Sequence, residues 1–91
     1  MKITDVRVRK FFDEGPLKAV VSITFDDCLA VHDVKVVEAS GKRFVVMPST
    51  KSADGTYRDI VHPVKSELRA ELTATVLEQY EAQRVAKTTD I

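Results

Sequence analysis

The stretch Val45–Val64, VVMPSTKSADGTYRDIVHPV, sets an apolar run and a second strand-like run on either side of a loop. Pro48 ends the first run, because proline donates no backbone N–H and pushes its predecessor, Met47, into extended geometry. Asp54-Gly55 is a turn, with the glycine free to take positive φ. Tyr57–Val61 then reads as a strand, which His62-Pro63 closes ahead of a helical pattern. The loop Ser49–Thr56 is long for a hairpin, and such length goes with function more than with connection.

Upstream of this stretch the apolar period is two. Thr4, Val6 and Val8 alternate with Asp5, Arg7 and Arg9, the pattern of a strand with one buried and one wet face. Glu14-Gly15-Pro16 breaks it. In Leu17–Phe25 the residues Leu17, Ala19, Val21, Ile23 and Phe25 share the core face, with Lys18, Ser22 and Thr24 opposite. Asp26-Asp27 makes a short turn, so the second and third strands should form an antiparallel hairpin. Leu29 and Val31 have one parity and Val34 and Val36 the other. The apolar face therefore switches at His32-Asp33, as a β-bulge or a strand buried on both faces would make it do. Ala39-Ser40-Gly41-Lys42 turns the chain into the dense apolar strand Arg43–Met47.

Downstream the period changes to 3.6. Leu68, Leu72, Val76 and Tyr80, with Leu77 beside them, form one stripe surrounded by Glu67, Arg69, Glu71, Glu78 and Glu81. Ser66 suits the N-cap, and Glu67 lies near the positive end of the helix dipole. One stripe and one sheet must pack together. The expected fold is thus α+β: an antiparallel sheet of about five strands followed by one C-terminal helix packed on it. A single domain spans residues 1–91, with strands over about 2–64, the helix over about 66–84 and a frayed C-terminus.

The 91 residues suffice for one domain that buries roughly 60–65% of its unfolded surface, marginal when alone. A single Cys28 excludes an internal disulfide and points to the cytoplasm. No apolar run approaches the roughly 20 residues that cross a bilayer, and there is no signal-peptide pattern, so a soluble protein with no membrane partner is expected. The 14 basic and 14 acidic residues cancel. A nucleic-acid binder of this composition must therefore sort its cations onto one face. Arg7, Arg9 and Lys10 cluster in the first strand, while Lys35, Lys42, Arg43, Lys51 and Arg58 outnumber Glu38, Asp54 and Asp59 across the middle. Acidic residues gather at Asp26-Asp27 and along the helix.

The motif PST-K-x-x-DG-x-YRDIVHP resembles the signature of the stage V sporulation protein G family, whose members typically read PSKR-x-x-DG-x-FRDIAHP. The resemblance extends through TDVRVR at Thr4–Arg9, SITFDD at Ser22–Asp27, VHDVKVV at Val31–Val37 and AT-VLEQY at Ala74–Tyr80. It implies a small dimeric antiparallel-sheet protein with a C-terminal helix that binds nucleic acid as a bacterial regulator, linked to septation and sporulation. Where the family carries a basic pair after Pro-Ser, this chain has Thr50-Lys51, one charge fewer.

Arg7 and Arg9 share a strand face at roughly 6.5–7 Å spacing, close to that of adjacent phosphates on one strand. The competing reading is a solvated face or a guarded sheet edge. Lys51 and Arg58 flank the long loop, and Lys65 and Arg69 share a helix face beside free N–H groups that attract anions, tempered by Glu67 and Glu71. The expected phosphate-contacting set is Arg7, Arg9, Lys51, Arg58, Lys65 and Arg69. Tyr57, Phe44 and Phe11 could stack on bases as in sheet-based RNA readers, although the core is the expected place for Phe44. His32, Asp33, His62 and Cys28 lack the paired spacing of a metal site, and Asp33, Arg58 and Asp59 suit cross-strand ion pairs instead. No nucleophile–base order or phosphate loop is present, so no catalysis, cofactor, metal or small-molecule substrate is expected. The partners expected are DNA, with RNA left open, and a second copy joined through a sheet edge. The competing class is an interaction factor of the division machinery that binds no nucleic acid.

Overall fold

The computed structural model describes the backbone of residues 1–89 and the side chains of residues 1–86. β1 (Ile3–Phe11), β2 (Leu17–Phe25), β3 (Leu29–Ala39) and β4 (Lys42–Val46) form one antiparallel sheet in sequence order. β5 (Ser49–Lys51) and β6 (Tyr57–Asp59) pair as a separate ribbon, and α1 (Ser66–Thr89) follows. The architecture is the α+β one that the alternating and helical periods predict, with the strands divided between two sheets. Pro48 causes the division. It cannot donate into a ladder, so β4 stops at Val46 and pairing resumes at Ser49.

The turns follow from residues that accept a left-handed backbone. Asp26 and Asp27 have φ of 50° and 55°, and the Cys28 N–H donates to the Phe25 C=O at 3.0 Å. Positive φ at both central residues matches the right-handed twist of the strands they join. Ser40 and Gly41, at φ 54° and 77°, do the same between β3 and β4. The phase switch in β3 is a bulge: Val21 pairs with Val34 but Ile23 with Val31, and Asp33 takes φ 63°. That extra residue keeps Val31, Val34 and Val36 on one face.

The core lies between that face and α1. Ala19, Val21, Ile23, Val34 and Val36 are fully buried beneath Leu72, Val76 and Tyr80, with Leu68 and Leu77 partly buried beside them. Each larger aliphatic side chain so buried contributes about 1.5–3 kcal/mol. The helix reaches both sheet margins. Gln83 bonds to β1, while Glu81 pairs with Arg43 of β4. At about 100° per residue these two positions project to opposite sides of the helix, which therefore bridges the sheet from β1 to β4.

Three local expectations change. The first helical bond runs from the Arg69 N–H to the Lys65 C=O at 3.1 Å, so Lys65 takes the cap position and Ser66 opens the helix. The helix does not end near Arg84, because the Val-Ala-Lys-Thr-Thr that follows contains neither glycine nor proline to stop it. Residues 90–91, part of the tail expected to fray, lie outside the described residues. Phe44 is 48% exposed rather than a core residue. It pairs with Val37, whose neighbour Val36 faces the helix, so Phe44 belongs to the uncovered side of the edge strand.

Candidate nucleic-acid interface

Successive strand residues face opposite sides, so packing Val6 and Val8 towards the helix leaves Arg7 on the uncovered face. A register shift between Val8 and Lys10 holds Arg9 on that face too. Its Nε–H donates to Ser22 Oγ at 3.1 Å, and that oxygen lies 2.9 Å from His32 Nδ1. Ser22 is only 6% exposed although it sits on the side of the sheet away from the helix. With Arg9 donating to its oxygen, the Ser22 hydroxyl donates to Nδ1 of the neutral imidazole, whose proton is then on Nε2.

The next row of the sheet adds two cations. Lys10 pairs with Val20 and Val20 with Lys35, on the same side as Ser22. Lys10 also sets its ammonium 5.0 Å from the Phe12 ring centroid. Two strand spacings separate β1 from β3, about 10 Å, so Arg7, Arg9, Lys10 and Lys35 bound one compact patch. Asp5, opposite Thr24, closes the row on the other side of Arg7.

The remaining expected residues lie elsewhere. Thr50 pairs with Arg58 and Lys51 with Tyr57, which puts Lys51 and Arg58 on opposite faces of the β5–β6 ribbon. Lys65 and Arg69 stand at the start of α1, in the layer on the other side of the sheet from Arg7 and Arg9. The sequence pairs them correctly along the helix but cannot tell which layer that helix joins. Within one chain the six residues therefore form three groups, of which only Arg7 and Arg9 share the open sheet face.

The loop between β5 and β6 is a hydrogen-bonded turn. The Ser52 N–H donates to the Thr56 C=O at 2.7 Å and the Gly55 N–H to the Ser52 C=O at 3.0 Å. The Thr56 hydroxyl and N–H donate to Asp54 Oδ1 at 2.7 and 3.1 Å, and these bonds, the hydroxyl first, hold the Asp54 carboxyl below its usual range. Tyr57 stands 72% exposed at the base of this turn, available for stacking, whereas Phe11 packs 5.9 Å from the Tyr80 ring.

The cross-strand ion pairs expected of Asp33, Arg58 and Asp59 do not form among the described residues, because Arg58 and Asp59 face the neutral Thr50 and Ser49 and Asp33 is the bulged residue. Ion pairs join Arg43 to Glu38 and Glu81, and Arg84 to Glu81. Among the described residues, no group of three or more His, Cys, Asp or Glu is placed to hold a metal.

Sequence reasoning missed Ser22, His32 and Lys35 as members of the cationic face. The phase switch at His32-Asp33 is visible in the sequence, but the pairing of Ser22 with that bulge requires the register.

The SpoVG family profile matches residues 1–82. A protein of Caldanaerobacter subterraneus subsp. tengcongensis named "Putative septation protein SpoVG" is 54% identical over 81 residues, 89% of this chain and 89% of the relative. A protein of the same name from Lachnospira eligens is 57% identical over 81 residues, covering 89% of this chain and 92% of its own. A third so named, from Caldicellulosiruptor saccharolyticus, is 48% identical over 82 residues, or 90% and 93% of the two chains. With a profile match through the sheet and most of the helix, and with relatives sharing about half of their residues across nearly their whole length, the chain belongs to the SpoVG family.

Proposed function

We propose that the protein is a small bacterial nucleic-acid-binding regulator, acting in the cytoplasm as a homodimer paired through a sheet edge, and connected through its family with septation and sporulation. DNA is the polymer proposed, with RNA as the second. The observation that carries this reading is the segregation of charge: Arg7, Arg9, Lys10 and Lys35 gather on the open face of the sheet although the whole chain is neutral. Such sorting supplies the local positive field that a phosphate backbone needs. Lys51, Arg58, Lys65 and Arg69 would extend it where a second copy brings other surfaces alongside. The reading is of a binding protein rather than an enzyme, in line with relatives named for septation.

A second reading, a division-machinery factor that binds protein only, is favoured by exposed Phe44, Tyr57, Ile60 and Val64, which suit an apolar partner. Gel shifts of purified protein with random duplex DNA and RNA pools across a salt series separate the two. Retention at low salt that weakens linearly in log affinity against log salt supports the regulator. Absence of retention from both pools, with stoichiometric capture of a division protein, supports the second reading.

A further inference from the structure

We infer that the open sheet face holds a seat for the phosphodiester backbone of a nucleic acid, built by Arg7, Arg9, Ser22, His32 and Lys35, with His32 as its charge-variable member. The inference rests on the nucleic-acid reading and adds which surface is used and by which groups. Ser22 anchors the seat. Its nearly buried hydroxyl accepts from Arg9 Nε at 3.1 Å and meets His32 Nδ1 at 2.9 Å, tying two exposed side chains into one arrangement. What these contacts leave outward are the terminal N–H groups of the guanidinium and the Nε2–H of the ring. All are donors, and a guanidinium fork matches the paired oxygens of a phosphate. Because the two side chains are already held, less conformational freedom is lost on binding.

The bulge explains why such a seat exists. An extra residue in β3 at His32-Asp33 lets both the ring and the core valines be placed correctly, so the imidazole reaches Ser22 while Val31 and Val34 stay buried. Around His32, β1 contributes Arg7 and Arg9, with Asp5 one row away, and β2 contributes the uncharged Ser22 and Thr24. On β3 itself, Asp33 adjoins it and Lys35 lies in the next row. β4 starts to pair with β3 only at Lys35 and sets no charge against the ring.

Imidazole is the side chain suited to a change of charge between about pH 5 and 8. When His32 gains a proton at Nδ1, that N–H turns donor to Ser22 Oγ, whose two lone pairs then take Arg9 Nε–H and His32 Nδ1–H. The hydroxyl hydrogen then turns away from the ring. Proton uptake thus adds a charge on the side facing the ligand, and by reciprocity proton and phosphate binding each favour the other.

Fluorescence anisotropy of the full-length protein with a labelled duplex DNA, and with single-stranded RNA, at pH 5.5 and 8.0 over a salt series tests this. Wild type should bind about threefold to tenfold more tightly at pH 5.5, a tenfold ratio corresponding to one unit of linked proton affinity. His32→Gln, which keeps a hydrogen-bonding side chain without the charge, should lose most of that ratio whatever its affinity at pH 8.0. Arg9→Ala and the exposed-site Lys35→Ala should each lower the salt slope by about one, or about two if both subunits engage. Lys35→Ala covers the case in which losing Arg9 disturbs β1. If wild type binds but His32→Gln keeps the pH ratio, or if Lys35→Ala keeps the slope, the seat is wrong while the nucleic-acid reading stands. If wild type binds neither polymer at either pH, the reading itself fails.

Discussion

One carboxylate joins the helix to the sheet margin. Glu81 accepts from Arg84 Nη2 at 2.7 Å and from Arg43 of β4, and the two guanidinium groups lie 5.8 and 5.3 Å from the Tyr80 ring centroid. The Arg84 bond first, and then Arg43 against the opposing effect of burial, holds the Glu81 carboxyl below its usual range. A carboxyl lowered by folding stabilises the native state above its unfolded value, about 4.3 for glutamate, and loses that contribution as pH falls through the folded value. Glu81→Gln should therefore lower stability at pH 7 by roughly 0.2–1 kcal/mol, small because the group is half-exposed. Thermal melts of the two proteins should converge as pH drops towards 3. A gap that stays constant with pH would mean that Glu81 acts through packing rather than charge.

The helix protects one edge of the sheet while covering one of its faces. Gln83 Oε1 accepts from the Val8 N–H at 2.9 Å and its Nε2–H donates to the Val6 C=O at 2.8 Å, the same donor–acceptor pair that a neighbouring strand would offer. An unguarded edge is a template for pairing with other chains. Gln83→Ala should speed amide hydrogen exchange at Val8, and Leu72→Ala, which opens a hole where the side chain is 2% exposed, should cost about 2–5 kcal/mol in urea melts. Unchanged exchange at Val8 would remove the edge-guard role. The helical stripe that places Leu72 is legible in the sequence, since each member recurs at the helical period, and so are the Asp26-Asp27 turn and the bulge. Gln83 is not legible: a glutamine on the polar flank of a helix reads as solvated until the strand beneath it is known. Phe44 is misread for a related reason, because alternation assigns it a face but not the face that the helix covers. The scattering of Lys51, Arg58, Lys65 and Arg69 over separate surfaces has the same origin, since spacing along one element is local whereas the choice of layer is tertiary.

The two sheet edges of the molecule are unequal, and the inequality bears on the proposed dimer. β1 is capped by Gln83, whereas the outer side of β4 meets no strand among the described residues. Around that edge and in the segment that follows it, large apolar side chains stay in contact with water: Phe44 at 48% exposed, Val46 at 38%, Tyr57 at 72%, Ile60 at 65% and Val64 at 89%. A chain of this size buries a modest core, so covering such residues with a second copy is a large relative gain. Pairing β4 with its twin would satisfy the free N–H and C=O groups, enlarge the apolar layer and double the cationic patch at no cost in sequence. Light scattering at micromolar concentration should give twice the 10.2 kDa chain mass. Phe44→Asp, which puts a charge into the proposed contact while leaving the helix-facing core untouched, should shift the mass towards that of one chain and halve the number of phosphates neutralised in a salt series. A wild-type mass of one chain at these concentrations would sink the dimer. A wild-type dimer that Phe44→Asp leaves intact would move the contact away from β4, and the ribbon residues Tyr57 and Ile60 would be the next to change.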